Sequence, residues 1–510
     1  MPPDESPMLA YLEAARSRML ALKAPGESSW RETVLQGLNE AYANADHLGL
    51  AQVVQLLASL LEADGKPDAA VREIDLALSA STGHRGAAAW LTAGKAALLA
   101  SQGHAQAAAA LVEAVTGDAW DLLEGTPRIK TLALVESVRM TTLCAPSSNL
   151  ARVTEEAVAA RKPLEQLFLL TWQIPYAAAR GSATDARPLI RTASALAHGQ
   201  QATFRRADIA AFERWLAIVT AGPGIGEPKE THFNPFAHFR MACLDVWQAV
   251  MQRNWAAADI GLEAVDRRMS RTGNNVGGIG CWQALVAAAA RGEPPLGLEP
   301  TATSHLTLGN LGSAVAGAYA VALAGTKSQA DEWFDWAGRL LRRGFESTFE
   351  APVSLRRVQG LLAIRAGKAT TAGKQLSGAA RACAAGGFTT EAALAEMQAH
   401  ELRTRLGLAV NDDAAESRAR VGELGFDSMP HLYAVHNAFD TGAAKASAIL
   451  TPREREVLKQ LALGRTYKES ADSLGVAWKT VQTQAHRIYE KLSVGNRTEA
   501  IAEARRLGLI

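Results

Sequence analysis

The segment Thr466–Arg487, TYKESADSLGVAWKTVQTQAHR, predicts two helices joined by a short turn. Thr466 is followed three residues later by Glu469, and this pair forms a capping box that marks the start of the first helix. Gly475 supplies the left-handed residue with which helices commonly end. Only residues 475–477 then separate the two helices. This is the spacing of a helix-turn-helix.

The flanking sequence predicts two more helices around this pair. Thr451 followed by Pro452 marks one start, and Asn496 followed by Glu499 marks another. The helix that begins near Ala477 has no capping side chain, so water or a phosphate oxygen is expected to satisfy its first amides. The predicted helices cover residues 452–463, 467–474, 478–492 and 497–507.

Apolar spacing separates a buried face from an outer face in this four-helix module. The predicted core consists of Val457, Leu458, Leu461, Ala471, Leu474, Val476, Val481, Ala485, Ile488, Leu492, Ile501 and Ala504. With that face buried, the third helix presents polar side chains outward: Lys479, Gln482, Thr483, His486 and Arg487. Gln pairs with adenine, Thr and His reach base edges, and Lys and Arg suit phosphates.

Charge is concentrated at the same end of the chain. The 510 residues carry 53 Lys and Arg against 52 Asp and Glu, a net charge of +1. Residues 450–510 contain eleven Lys and Arg and seven Asp and Glu. The net charge is therefore +4 in this segment and −3 in residues 1–449. The whole chain is therefore not a polybasic binder, and a nucleic-acid site must be local.

Several blocks in the last sixty residues resemble a LuxR-type helix-turn-helix domain, in the order of that family: residues 450–458, 468–471, 479–483 and 491–500. The resemblance implies that the third helix enters the major groove of double-stranded DNA. It implies base contacts from Gln482, Thr483 and His486. It also implies backbone contacts from Lys468, Lys479, Thr480 and Arg497. The family often dimerises through its fourth helix, so a homodimer is expected.

This module departs from the family pattern at the start of the third helix. Ala477 and Trp478 stand where Ser and Glu are usual, Gln484 stands where His is common, and Gln482 is neutral where Lys is frequent. Trp478 either stacks on a sugar-phosphate edge or packs on the domain surface, and packing is favoured. These changes leave the recognised base sequence open.

The rest of the chain repeats a helical-hairpin frame of small, apolar and glycine positions. The frame occurs at Ala58, Leu61, Gly65, Ala70, Ile74 and Ala77; at Ala96, Leu99, Gly103, Ala108, Val112 and Val115; and again around Gly181, Gly325 and Gly367. A copy centred on Arg253 lacks the glycine. The glycine predicts a left-handed end to the first helix, and the later positions predict the buried face of the second. The frame resembles the tetratricopeptide repeat without most of its Trp and Pro. Another helical solenoid is the alternative.

The sequence therefore predicts an all-α chain in three parts. Residues 1–437 form a tetratricopeptide-like superhelix, residues 438–449 a linker of small residues, and residues 450–510 the LuxR-type domain. The spacing between the copies at Gly103, Gly181 and Arg253 predicts weaker copies between them.

Other sequence signals argue against competing classes. The four cysteines form no CxxC pair, no long apolar run spans a membrane, and the first residues lack a secretion signal, so a cytoplasmic protein is expected. Residues 222–229 lack the Gly-Lys-Ser/Thr of a phosphate loop. His232 and His238 lack a third metal ligand. The aromatic stretch 232–239 either packs into the helical array as a loop and helix start, which is favoured, or lines an effector or peptide groove. Trp333, Phe334 and Trp336 are expected in the core.

These features favour a DNA-binding transcriptional regulator whose helical repeats bind a peptide, protein or small effector. Activation rather than repression is expected from the resemblance alone. The alternative is an interaction scaffold that retains a vestigial DNA-binding module. No catalytic constellation stands out, so we expect no enzyme activity, no cofactor and no metal.

Overall fold

Helices dominate the chain, as its sequence predicts. The computed structural model describes residues 28–44, 46–63, 66–143, 146–199, 203–221, 235–272, 278–405, 419, 422–423, 452–492, 494 and 496–506. No β-strand occurs among these residues, which confirms the all-α class. Gly65, residues 222–234, the predicted linker 438–449 and Thr451 lie outside them. None of the described helices is long and apolar enough to cross a bilayer.

The N-terminal region consists of helices joined mostly by short turns. They are α1 (Ser28–Asn44), α2 (His47–Ala63), α3 (Pro67–Ala80), α4 (Arg85–Ser101), α5 (Ala105–Leu122), α6 (Gly125–Thr141), α7 (Asn149–Ala159), α8 (Pro163–Ala179), α9 (Ala183–Gly199), α10 (Thr203–Ala221), α11 (Pro235–Met251), α12 (Trp255–Thr272), α13 (Gly278–Arg291), α14 (Leu308–Ala324), α15 (Lys327–Arg342), α16 (Leu355–Arg365), α17 (Ala369–Gly386) and α18 (Thr389–Arg405). A short 3-10 helix, Thr303–His305, precedes α14.

Most of the predicted hairpin turns adopt the expected conformation. Gly103, Gly181 and Gly367 have φ angles of 87°, 75° and 80° and end α4, α8 and α16 in the left-handed region. Arg253, which replaces glycine in one copy, adopts a φ of 54° at the turn between α11 and α12. Between the Gly103 and Gly181 hairpins lies one helix pair, α6 and α7, where a weaker copy is expected.

The prediction of a left-handed turn is wrong at Gly325. This residue has φ −68° and ψ 165°, which is extended backbone. The next residue, Thr326, already caps α15, because its hydroxyl accepts the amide of Gln329. A two-residue connection that ends in an extended cap leaves no place for a left-handed residue.

The second helix of most hairpins buries the face that the repeat frame predicts, whereas Leu262 on α12 and Phe334 on α15 are only partly buried. The frame residues on α5, α9 and α17 are all buried: Ala108, Val112, Val115, Ala186, Ile190, Ala193, Ala372, Leu376 and Ala379. Each packs against neighbouring helices, since one hairpin cannot cover its own apolar face. The superhelical shape of a tetratricopeptide array remains compatible with this packing and stays a prediction.

The region also makes contacts between distant parts of the chain. The loop 343–354 lies against the end of α8, where the Glu346 amide donates to the Ala179 carbonyl at 2.9 Å. Arg343 donates through Nη2 to the Leu143 carbonyl at 3.2 Å, across 200 residues of sequence. A solenoid held together by neighbouring repeats alone has no such contacts.

A second long-range junction joins α10 to α18. The Thr390 hydroxyl donates to the Ile218 carbonyl at 3.0 Å, across 172 residues. The Trp215 ring on α10 lies between Phe349 and Phe388, with centroid distances of 5.6 Å to each. Buried aromatic contacts of this kind stabilise a junction more than an isolated hydrogen bond does. The later helices therefore close onto the earlier ones.

The C-terminal module contains the four predicted helices. They are α19 (Pro452–Ala462), α20 (Tyr467–Leu474), α21 (Trp478–Leu492) and α22 (Arg497–Arg506). Each boundary lies within one residue of its predicted position, because the caps and glycines that set it are local signals.

Candidate nucleic-acid interface

The four C-terminal helices enclose a small apolar core. Its fully buried members are Val457, Leu458, Leu461, Ala471, Val481, Ala485, Ile488, Ala500 and Ala504. Leu474 and Val476, predicted as core, are partly buried against it. Ile501 is also only partly exposed to solvent. Burial of Val481, Ala485 and Ile488 sets which side of α21 faces outward.

Two helix starts have the predicted caps. At α20, the Thr466 hydroxyl accepts the Glu469 amide, and the Glu469 carboxylate accepts the Thr466 amide at 2.8 Å. The Glu469 carboxylate also accepts the Thr466 hydroxyl at 2.9 Å, and the hydrogen bonds from this amide and hydroxyl lower the pKa of Glu469. At α22, Asn496 Oδ1 accepts the Glu499 amide at 2.9 Å. The capping box that the sequence predicts at Thr451 lies outside the described residues.

The turn between α20 and α21 is held at both sides. Gly475 adopts φ 66°, a left-handed conformation in which a side chain would be strained. The Val476 amide donates back to the Ala471 carbonyl at 3.0 Å. Arg453 of α19 donates to the Leu474 carbonyl at 2.8 Å. These contacts set the angle at which α21 leaves the turn.

The outer face of α21 carries the predicted polar side chains. Lys479, Gln482, Thr483, His486 and Arg487 are all exposed to solvent, opposite the buried residues of the same helix. Thr480, predicted to contact the backbone of DNA, is exposed as well. The Thr483 hydroxyl donates to the Lys479 carbonyl one turn earlier at 2.9 Å. The tertiary structure thus brings the predicted base-reading and phosphate-binding residues onto one accessible surface.

The two remaining predicted residues lie outside α21. Lys468 is exposed on α20, in the first turn after the cap. Arg497 is partly buried, and its Nη2 donates to the Leu461 carbonyl at 2.6 Å. One guanidinium nitrogen of Arg497 therefore ties α22 to α19, while the group keeps further donors.

The exposed cations of this surface are not neutralised by nearby described carboxylates. Arg453 pairs with Glu456 at 2.6 Å on α19. In contrast, Lys468, Lys479 and Arg487 form no ion pair with another described residue. Cationic side chains that lack a partner within the protein can neutralise DNA phosphates and release the counterions bound to the DNA.

Two features of this module are not predicted by the local sequence. The Tyr467 and Tyr489 hydroxyls meet at 3.1 Å between α20 and α21, and burial together with this hydrogen bond raises the pKa of Tyr489. Half of the Trp478 side chain is exposed, which is compatible with packing on the domain surface. No local sequence pattern predicts the tyrosine contact or the exposed fraction of Trp478, because both depend on how the helices approach each other.

The structure describes some, but not all, of the aromatic and histidine residues singled out in the N-terminal region. Trp333 and Trp336 are fully buried with their rings 5.1 Å apart, as expected for core residues, whereas Phe334 is only partly buried against the same core. Among the described residues, no group of three His, Cys, Asp or Glu side chains is placed to hold a metal ion. His232, residues 222–229 and the side chain of His238 lie outside the description.

Comparison with known proteins identifies the C-terminal module. Residues 448–504 match the luxR family of bacterial regulatory proteins. The probable transcriptional regulatory protein NarL of Mycobacterium tuberculosis is 46% identical over 68 residues, 13% of this chain and 32% of NarL. The transcriptional regulatory protein ComA of Bacillus subtilis is 36% identical over 66 residues, 13% of this chain and 31% of ComA. The transcriptional activator protein CarR of Pectobacterium carotovorum is 43% identical over 81 residues, 16% of this chain and 33% of CarR.

These matches are confined to one end of the molecule. The chain spans about a third of the length of each of these relatives. No solved structure matches the chain. The helix order, the capped turn and the exposed face of α21 agree with the sequence match. Residues 448–504 of this chain are a DNA-binding domain of the luxR family of transcriptional regulators.

Proposed function

We propose that α21 enters the major groove of double-stranded DNA and reads base edges through Gln482, Thr483 and His486. The observation that carries this proposal is the exposure of all three on one face of a helix whose opposite face is buried. Gln pairs bidentately with adenine, while Thr and His each supply a donor or an acceptor. Sequence selectivity follows from these side chains.

Phosphate contacts are assigned to the cations and donors around this face. They are Lys468, Lys479, Thr480, Arg487 and Arg497. Lys479 and Thr480 lie in the first turn of α21, beside amides without a side-chain cap, where a phosphate oxygen is favoured. Such contacts fix the register of the protein on DNA without reading its sequence.

At the level of the whole chain, we propose a cytoplasmic transcriptional activator that works as a homodimer. Residues 450–510 bind DNA, and residues 438–449 form the linker to the rest of the chain. The helices of residues 1–437 bind a peptide, protein or small effector that controls DNA binding. The activator role is supported by the name of the relative CarR. Dimerisation would double the phosphate contacts and set the spacing of two half-sites.

A salt titration of DNA binding tests the interface. Lys479→Ala in the full chain is expected to weaken DNA binding. Because one phosphate contact is lost, the negative slope of log K against log salt should become shallower by about 1. Lys459→Ala is the matched control, because it removes an equal charge from an exposed position on α19. An unchanged slope in Lys479→Ala would contradict the assignment.

The scaffold alternative is separated by a deletion. If the protein acts only through its helical repeats, removal of residues 440–510 leaves its regulatory effect intact. If it acts through DNA, the effect is lost, together with the genomic sites that the full chain occupies. Mapping those sites with and without added effectors also tests the control by residues 1–437.

A further inference from the structure

Trp478 is an exposed apolar side chain at the start of α21, the helix proposed to bind DNA. In the described part of residues 452–506, two large apolar side chains are exposed: Leu463 at the end of α19 (70%) and Trp478 at the start of α21 (50%). Exposure of half an indole to water is unfavourable, because about half of its large apolar surface stays hydrated. A partner outside the domain would remove that cost.

The position of Trp478 on the helix indicates which partner this is. Trp478, Gln482 and His486 recur at intervals of four residues, so they form one row along α21. Gln482 and His486 are the assigned base-reading residues of that row. Trp478 extends the row by one turn toward the helix N-terminus, which is the end that lies closest to base edges in helix-turn-helix complexes.

The chemistry of the major groove limits what an indole can contact there. Base edges present hydrogen-bond donors and acceptors at every pair, but they present one apolar group, the 5-methyl group of thymine. Phosphates at this end are already matched by the neighbouring Lys479 and Thr480. An uncharged aromatic ring in this row therefore suits a thymine methyl better than the backbone.

We propose that Trp478 contacts the 5-methyl group of a thymine at one edge of each half-site and selects for that base. This inference rests on the proposed binding of α21 in the major groove. It adds a base-specific contact at a position where the family usually has a carboxylate, and it explains why this aromatic residue is left in solvent.

The test replaces single thymines by deoxyuridine. Duplexes preferred by the full chain are first selected from a random library, and each thymine in the selected site is then changed to deoxyuridine, which removes only the methyl group. One such change is expected to weaken wild-type binding about fourfold, the effect of one buried methyl or methylene group. Trp478→Ala should bind the two duplexes equally, whereas Trp478→Phe should keep the difference.

Leu463→Ala is the control variant, because it shortens the other exposed apolar side chain of the domain without touching α21. It should keep wild-type discrimination. The inference would be overturned if Trp478→Ala kept the wild-type difference between thymine and deoxyuridine duplexes, or if the selected site had no preferred thymine. Failure to select any preferred sequence would instead refute the proposed function itself.

Discussion

At the residue scale, two glutamines on one helix have opposite environments. Gln482 is exposed on the reading face, whereas the amide oxygen of Gln484 is buried without a hydrogen bond from a described residue. We expect Gln482→Ala to relax the preference at one base pair by about 1–3 kcal/mol, the usual contribution of a bidentate contact. Competition binding against duplexes changed one pair at a time measures this.

Gln484→Ala serves as the comparison for that experiment. Its amide oxygen is buried and not on the exposed face of α21, so this variant should keep the base preference of the wild type. If Gln484→Ala relaxed specificity and Gln482→Ala did not, the assigned orientation of α21 on DNA would be wrong. Both glutamines lie within one turn of the same helix, so their residue type alone does not show which of the two side chains is exposed.

At the element scale, α20 depends on its cap. This helix has only eight residues, so it gains little from helix propagation and relies on its ends. Thr466→Ala removes the acceptor for the Glu469 amide and should destabilise the helix by about 1 kcal/mol. Hydrogen exchange in residues 467–474 of the full chain should then accelerate about fivefold.

Thr466→Ser keeps a hydroxyl cap and should retain wild-type exchange. Amides of α16, in the other part of the chain, provide an internal reference because neither variant touches them. Equal exchange in Thr466→Ala and the wild type would show that tertiary packing, and not the cap, determines the stability of α20.

At the scale of the whole molecule, a buried carboxyl group lies where the loop 343–354 packs against α10 and α11, which are distant from it in sequence. Glu350, in the loop 343–354, faces Arg240 of α11 at 3.7 Å, and Arg240 also faces Asp208 of α10 at 3.5 Å. The Cys243 thiol is buried nearby. Burial raises the pKa of Glu350 to about 7, although Arg240 opposes the shift.

This environment predicts a pH dependence of stability. The folded-state pKa of Glu350 lies above its unfolded value near 4.5, so the folded state binds the proton more tightly. Stability should therefore rise as pH falls from 7.5 to 5.5, by about 1–2 kcal/mol from this group. Glu350→Gln should lack that part of the rise. Thermal unfolding of both proteins at the two pH values measures it, and identical pH dependence would contradict the prediction.

The same scale contains a fully buried ion pair. Arg357 of α16 donates to both Glu391 carboxylate oxygens of α18 at 2.7 and 2.8 Å, and neither side chain is accessible to solvent. Such pairs contribute orientation more reliably than net stability, because desolvation offsets their attraction. Together with the hydrogen bond from Thr390 to α10, the pair fixes the position of α18 against α10 and α16.

The amino-acid sequence by itself determined the four C-terminal helices, the caps of α20 and α22, the exposed face of α21 and most of the hairpin frame of the N-terminal region. All of these depend on residues within one or two helical turns, such as Thr466 with Glu469 or Gly475 after Leu474. Local spacing is therefore sufficient to predict them.

Only the tertiary structure decided how the N-terminal helices pack against one another and that half of the Trp478 side chain remains in solvent. Arg343 meets Leu143, and Thr390 meets Ile218, across about 170–200 residues. Contacts at such separations leave no periodic pattern in the sequence. They arise from the shape of apolar surfaces that become complementary only after the individual helices have formed and packed.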